Sequence, residues 1–142
     1  MQYYYLTMNY YLRLKNNFFV IGTSTKGVAD FTHENLTMLQ LDQTDQKSIA
    51  QCVQSTIKLG KKINILVNNA GLWIDGDDNQ EVDVSILRKT LEANLIGVID
   101  LTERLIPLMN EGGHIVNVSS RQGSFGYIST IHTASYSISK AA

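Results

Sequence analysis

The chain has 142 residues, 44% of them hydrophobic and 18% charged, with a formal net charge of −1; one compact domain fits that length, and the balance excludes a disordered chain or a strongly basic nucleic-acid binder. Cys52 is the one cysteine, which excludes an intrachain disulfide framework and a cysteine-based zinc site and fits a reducing compartment. Apolar stretches as short as Phe18 to Ile21 exclude a membrane span of roughly 20 residues, and Met1 to Tyr11 lacks the basic and apolar regions of a signal peptide, so no membrane and a cytoplasmic location are expected.

Five of the seven tyrosines, Tyr3, Tyr4, Tyr5, Tyr10 and Tyr11, crowd the first eleven residues, and the Tyr-rich segment 1–17 is set apart from a domain over 18–142. Phe18-Phe19-Val20-Ile21 is aromatic and β-branched without alternation, so it reads as a short strand buried on both faces and stopped by Gly22. Leu36 to Leu41, ending at Asp42, reads the same way. Thr44 then caps a helix whose apolar Ile49, Cys52, Val53 and Ile57 keep helical spacing, with Gly60 as the stop. Ile63 to Val67, interrupted by Asn64, is a third strand that ends at Asn68-Asn69-Ala70-Gly71. Asp83 caps a longer helix of about five or six turns, with Val84, Leu87, Leu91, Leu95, Val98 and Leu105 as its stripe and Pro107 and Gly112-Gly113 as its end. Ile115 to Val118 is the fourth strand, closing at Ser119-Ser120.

Apolar strands alternating with helices imply βαβ crossovers and an α/β fold with a parallel sheet covered on both faces. Ligands of open α/β sheets bind beyond the carboxyl ends of the strands. Asp42, Asn68, Asn69, Ser119 and Ser120 all fall at such ends and are expected to line one rim. In the last segment, Tyr136-Ser137-Ile138-Ser139-Lys140, the i, i+4 spacing stacks Tyr136 and Lys140 on one helix face. A phenol with an ordinary pKa of about 10 is a poor acid or base at neutral pH, and an adjacent ammonium lowers that pKa, each unit being worth about 1.4 kcal/mol. Taken alone, the pair reads more readily as two surface residues of a helix.

Asn68-Asn69-Ala70-Gly71 after a strand, Asn94 inside a helix, the strand end Ile115-Val116-Asn117-Val118-Ser119-Ser120 and Tyr136-Ser137-Ile138-Ser139-Lys140 come in the order and approximate spacing of the short-chain dehydrogenase/reductase family. Leu41-Asp42-Gln43-Thr44-Asp45 resembles that family's Leu-Asp-Val-Thr-Asp stretch, and Val20-Ile21-Gly22-Thr23-Ser24 resembles its second strand. The resemblance covers about residues 12 to 142. Singly, Asp42 reads as a turn residue, Asn94 as a solvated helix residue and Ser119 and Ser120 as loop residues; the ordered combination is what points to the family.

The resemblance implies a partial Rossmann-like, doubly wound parallel sheet and hydride transfer between a nicotinamide cofactor and a small-molecule carbonyl or alcohol, closest to carbonyl-reductase-like members. By position, Tyr136 resembles the general acid/base, Lys140 the amine that tunes it and holds the nicotinamide ribose, and Ser120 the hydroxyl that polarises the substrate oxygen. Asn94 resembles the residue that interrupts helical hydrogen bonding and holds a water in a proton relay to Lys140. Asn68, Ala70 and Gly71 belong to the stretch that supports the sheet and passes close to the adenosine, where a side chain at Gly71 would block the approach. Asp42 would meet the adenine edge. The resemblance also implies a homo-oligomer built through the long helix after Asp83 and the helix bearing Tyr136.

Family members that prefer NAD place a carboxylate just after the second strand, whereas the 2′-phosphate of NADP needs a cation. Here Gly22, Thr23, Ser24, Thr25, Lys26 and Gly27 follow, and the first acidic residue is Asp30. Ser24 and Lys26 therefore predict NADP over NAD by a margin of about 1 to 2 kcal/mol.

The sequence also departs from the family. Its usual Thr-Gly-x-x-x-Gly-x-Gly motif is not found here, Leu12 to Asn17 resembles the end of the helix that follows that motif, and the last residues fall just after Lys140. The expectation is an internal piece lacking the family's first strand, its last two strands and its lid. The alternative is a catalytically inactive remnant serving as an interaction module. Tyr136 lies 16 positions after Ser120, where many members have a separation of 13, which weakens the role of Ser120.

Other patterns fail on inspection. Asp75, Asp77 and Asn79 begin like a calcium loop, but Gln80 and Ile86 stand where Gly and Glu are required. Gly22 to Gly27 has Walker spacing without the lysine, and Gly123-Ser124-Phe125-Gly126 is not a hydrolase elbow. His33, His114 and His132 lack ligand spacing.

Overall fold

The computed structural model describes residues 18–75, 82–126 and 133–142. The Tyr-rich segment 1–17, positions Asp77, Asn79 and Gln80 of the rejected calcium loop, and His132 lie outside the described residues. Backbone contacts divide the chain into two compact units: one holds the described residues up to Asp42 with Lys47–Lys61, the other Gln43–Gln46 with Lys62–Ala142.

In the first unit, β1 (Val20–Ser24) pairs in parallel with β2 (Leu36–Gln40), from Val20 opposite Leu36 to Ser24 opposite Gln40. Gly22 does not end the strand as its identity predicts. It pairs opposite Met38, because glycine accepts extended backbone and the neighbouring strand's polar groups need a partner. The chain turns instead after Ser24. The Gly27 N–H donates to the Ser24 carbonyl at 3.0 Å, and Gly27 has φ +69°. A Cβ there would sit 3.1 to 3.3 Å from Gln40 atoms, so the positive φ and the close approach both favour glycine.

Helix α1 (Gln46–Lys58) begins one position later than a cap at Thr44 predicts and buries Ile49, Cys52, Val53 and Thr56. Thr56 takes the place expected for Ile57, which is exposed; the Thr56 hydroxyl returns its hydrogen bond to the Cys52 carbonyl at 2.9 Å, so its burial leaves no polar atom unpaired. Gly60, at φ +63°, closes the helix as the sequence predicts, its N–H donating to the Ile57 carbonyl.

In the second unit, β3 (Ile63–Asn68) pairs in parallel with β4 (Met109–Asn117). Between them runs one continuous helical segment: α2 (Val84–Leu91), a π turn (Glu92–Ile96) and α3 (Gly97–Leu105), followed by a 3₁₀ turn (Ile106–Leu108). A second 3₁₀ turn (Arg121–Gly123) precedes α4 (Ala134–Ala141). Asp83 caps α2 as predicted, its carboxylate accepting from the N–H groups of Ser85 at 2.7 Å and Ile86 at 3.3 Å, which holds its pKa below the usual 3.8.

The Gly112-Gly113 pair, expected to end this helix, lies inside β4. The pairing jumps from Ile63 opposite Met109 to Ile65 opposite His114, and the extra β4 residues bulge out with Gly112 at φ +74°. The helix stops earlier because Pro107 lacks the N–H that continuation needs. Its buried line also differs from the predicted stripe: Thr90, Ala93, Gly97, Leu101 and Leu105 are buried, whereas Val84 is 57% exposed. The π turn inserts a residue and rotates the faces. The small residues on the new line allow close packing, and a Cβ on Gly97 would collide with the Gln43 carbonyl oxygen.

Each unit thus carries a parallel strand pair, joined in the second unit through the helical segment 84–108 and followed in the first by α1, the α/β Rossmann-like partial fold expected, with two two-stranded sheets among the described residues. No helix among them is long and apolar enough to cross a membrane.

Candidate functional site

The end of β3 is anchored through side chains. Asn68 is buried, and its amide donates to Asn117 Oδ1 at 2.8 Å and to Thr102 Oγ1 at 3.0 Å, while its carbonyl accepts from the Val118 N–H. These bonds tie the third strand, the fourth strand and α3 into one frame. Beyond it, Ala70 lines a cavity of about 300 Å³ together with Asn94, Ser119, Ser139 and Lys140.

Asn94 sits in the π turn, where the helix departs from regular α geometry. Its Oδ1 accepts from the Leu72 N–H at 2.6 Å, and its Nδ2 donates to the Leu72 carbonyl and to Ser139 Oγ, both at 2.9 Å. Both amide protons are therefore spent on protein, and only a lone pair of Oδ1 is left for any further partner.

On α4, Ser139 Oγ donates back to the Tyr136 carbonyl at 2.8 Å, and Lys140 stands one turn from Tyr136 with its Nζ 5.8 Å from the phenol ring centroid. The ammonium donates to the Val118 carbonyl at 3.0 Å, and burial lowers its pKa from the usual 10.5. Gly123 lets the 3₁₀ turn pack against this helix, since a Cβ there would collide with the Lys140 carbonyl. Gly71 faces the same two groups from the loop: a Cβ would lie 3.5 Å from Lys140 Nζ and 3.6 Å from Asn94 Oδ1. The protein itself tolerates that contact, so the opening over the amine is what glycine preserves.

Of the residues singled out in the sequence, Asn68, Ala70, Gly71, Asn94, Tyr136 and Lys140 come together in the second unit. Ser120 caps the 3₁₀ turn there, its Oγ accepting from the Gln122 N–H at 3.2 Å and retaining its own proton to donate. Ser24, Lys26 and Asp42 belong to the first unit. The Ser24 hydroxyl donates to the Val28 carbonyl at 3.0 Å and accepts from its N–H at 3.2 Å, Lys26 is exposed at the tip of the turn, and the Asp42 N–H donates to Ser48 Oγ at 2.9 Å.

Two residues near Tyr136 make contacts that the sequence reading does not anticipate, Asp75 having entered it only as the start of the rejected calcium pattern. Asp75 Oδ2 accepts from the Tyr136 N–H at 2.7 Å, capping the first turn of α4 from 61 residues away, and the Trp73 ring packs 5.8 Å from the Tyr136 ring at 33°. Their only sequence signal is a location in the loop after β3.

The short chain dehydrogenase family model matches residues 18–142. The chain is 38% identical over 108 residues to the dehydrogenase/reductase SDR family protein 7-like of Anopheles gambiae, covering 74% of this chain and 32% of that protein. It is 30% identical over 109 residues to retinol dehydrogenase 8 of Bos taurus, covering 75% and 34%. Against the 1-hydroxy-2-glutathionyl-2-methyl-3-butene dehydrogenase of a Rhodococcus species it is 33% identical over 103 residues, covering 72% and 45%. The chain thus spans between a third and a half of the curated relatives it matches. Among solved structures, a short-chain dehydrogenase from Streptomyces avermitilis superposes with a TM-score of 0.79 at 29% identity, covering 94% of this chain and 51% of that one. A Serratia marcescens short-chain dehydrogenase/reductase shares the fold with a TM-score of 0.77 at 23% identity, covering 96% and 61%.

Proposed function

The chain belongs to the short-chain dehydrogenase family, and from that premise we propose that it carries the acid/base centre of an NADP-dependent oxidoreductase interconverting a carbonyl and an alcohol. The observation that carries the reading is the convergence of Tyr136, Lys140, Asn94 and Gly71 from three separate segments of the second unit. Lys140 has three N–H donors and spends one on Val118, so two remain for the paired hydroxyls of a ribose, over the opening that Gly71 leaves. That donor set fits a nicotinamide dinucleotide. When bound, the dinucleotide supplies or accepts the hydride.

Tyr136 gives its phenolic proton to the carbonyl oxygen during reduction and takes one from the alcohol during oxidation. The Lys140 ammonium offsets the negative charge that the phenol acquires on giving up that proton. Ser120 donates its hydroxyl proton to the substrate oxygen and withdraws charge from the reacting carbon. Asn94 fixes the loop at Leu72 and the helix at Ser139, so the acid and the loop keep their spacing without reorganising. Asp42 meets the adenine edge. Lys26, exposed beside Ser24 and with no carboxylate in the turn, favours the 2′-phosphate. A cytoplasmic location and a homo-oligomeric contact through the helical segment 84–105, where Ile96 and Ile99 are exposed, go with this reading.

The test is Tyr136→Phe in the protein that carries this chain: NADPH-dependent carbonyl reduction falls by about 100-fold or more while NADPH affinity stays unchanged. Near-normal turnover would show that Tyr136 is not the acid. Lys26→Ala narrows the ratio of NADH to NADPH dissociation constants by about tenfold; a native preference for NAD, or a ratio that Lys26→Ala leaves unmoved, contradicts the cofactor assignment.

A further inference from the structure

We propose that Trp73 is the specificity-determining wall of the substrate site and that it selects carbonyls and alcohols borne on flat unsaturated rings over those on open aliphatic chains. The proposal deepens the oxidoreductase reading and rests on it.

The segment 72–75 is pinned at both ends. Leu72 is held by its N–H and its carbonyl to Asn94, and Asp75 is held by its carboxylate to the Tyr136 N–H. Between these anchors the Trp73 indole lies 5.8 Å from the Tyr136 ring, within the roughly 4.5 to 7 Å range of offset aromatic pairs. Yet 41% of Trp73 remains exposed, and Ile74 beside it is 40% exposed. A large indole between two anchored residues, with much of its surface uncovered, has area to offer a ligand and loses little further freedom on binding.

Its position decides what that ligand is. A substrate that brings its oxygen to the Tyr136 phenol sets the carbon skeleton beside a ring that already packs against Trp73. A planar ring continues that aromatic arrangement over the indole; an open chain touches it along one edge and loses its internal rotations. The charged groups nearby are directed elsewhere: the Asp75 carboxylate accepts from the Tyr136 N–H, and Lys140 gives one donor to the Val118 carbonyl and keeps two for the ribose. A neutral apolar skeleton therefore fits the wall better than an ionic one.

Acetophenone and 2-octanone carry a carbonyl on eight carbons each and differ in planarity, and their dissociation constants on the full chain, measured by ligand-observed NMR, provide the test. Acetophenone should bind about tenfold more tightly, which is 1.4 kcal/mol, and should quench Trp73, the chain's single tryptophan. Trp73→Phe keeps most of that ratio, because a ring remains; Trp73→Leu, apolar but not planar, brings the ratio to about one. Tyr136→Phe leaves the ratio in place while removing turnover. Equal binding of the two ketones, binding of neither, or a ratio that survives Trp73→Leu overturns the proposal. A Trp73-dependent ratio without any turnover in the unsubstituted protein would instead retain the wall and reject the oxidoreductase reading.

Discussion

The ends of β1 and β3 both carry candidate cofactor contacts, and they are built from opposite kinds of interaction. After β1 the chain secures itself locally: Ser24 bonds Val28 four residues on, and Gly27 folds back to the Ser24 carbonyl. After β3 the chain is held by distant partners, Asn117 at a separation of 49 residues from Asn68, Asn94 at 22 from Leu72 and Tyr136 at 61 from Asp75. A local turn keeps its shape while its surroundings change. A stretch held by three remote partners has a shape only when the rest of its unit is folded, so its geometry reports on the whole unit.

That contrast breaks most visibly at Asn94. Asn94→Ala removes three hydrogen bonds at once and leaves the Leu72 N–H and carbonyl without their partner, costing about 3 kcal/mol. Urea unfolding followed by Trp73 fluorescence measures it, and a cost below about 0.5 kcal/mol would mean that the loop after β3 does not depend on its remote anchors. At the β1 end the damage should be smaller and confined: Gly27→Ala forces alanine to φ +69° against Gln40, costing about 1 to 2 kcal/mol. Gly27→Asn should recover part of that loss, since asparagine tolerates the left-handed region.

The smallest effect is electrostatic. Lys140 has a folded pKa below 10.5 because it is partly buried, so between that lowered value and 10.5 the unfolded state binds more protons and stability rises with pH. Below the window the charged, desolvated amine is a constant penalty, and above 10.5 the penalty is gone. The difference in melting temperature between the unsubstituted chain and Lys140→Met should therefore shift in favour of lysine as pH climbs through the window. A flat difference would show that burial does not act on the Lys140 amine.

What the sequence made legible follows the same division. All four strands, the amphipathic face of α1 at Ile49, Cys52 and Val53, the Gly60 stop and the Asp83 cap depend on neighbours within a turn or two, and each is found. Glycine misled in both directions: Gly22 continues a strand and Gly112 bulges one, because whether glycine ends an element depends on the strand beside it. The buried line of the long helix was not readable from its apolar residues, since it runs through polar Thr90 and the small Ala93 and Gly97, and the π turn at 92–96 shifts the faces along it. At the site, the placement of Tyr136 and Lys140 on one face follows from helical spacing. Trp73 and Asp75 reach Tyr136 only through the tertiary fold, and no local pattern encodes that approach.

The division into two units gives the molecule a pair of separate chemical clocks. Its one thiol, Cys52, lies buried in α1 of the first unit with its pKa pushed up by that burial, so it reacts with a disulfide reagent only when that unit opens. Its one indole, Trp73, belongs to the second unit. Thiol labelling and indole emission, followed in the same denaturant series, therefore time the opening of each unit without any introduced label. Coincident midpoints would mark a single cooperative fold, and separated midpoints two foldons sharing a chain.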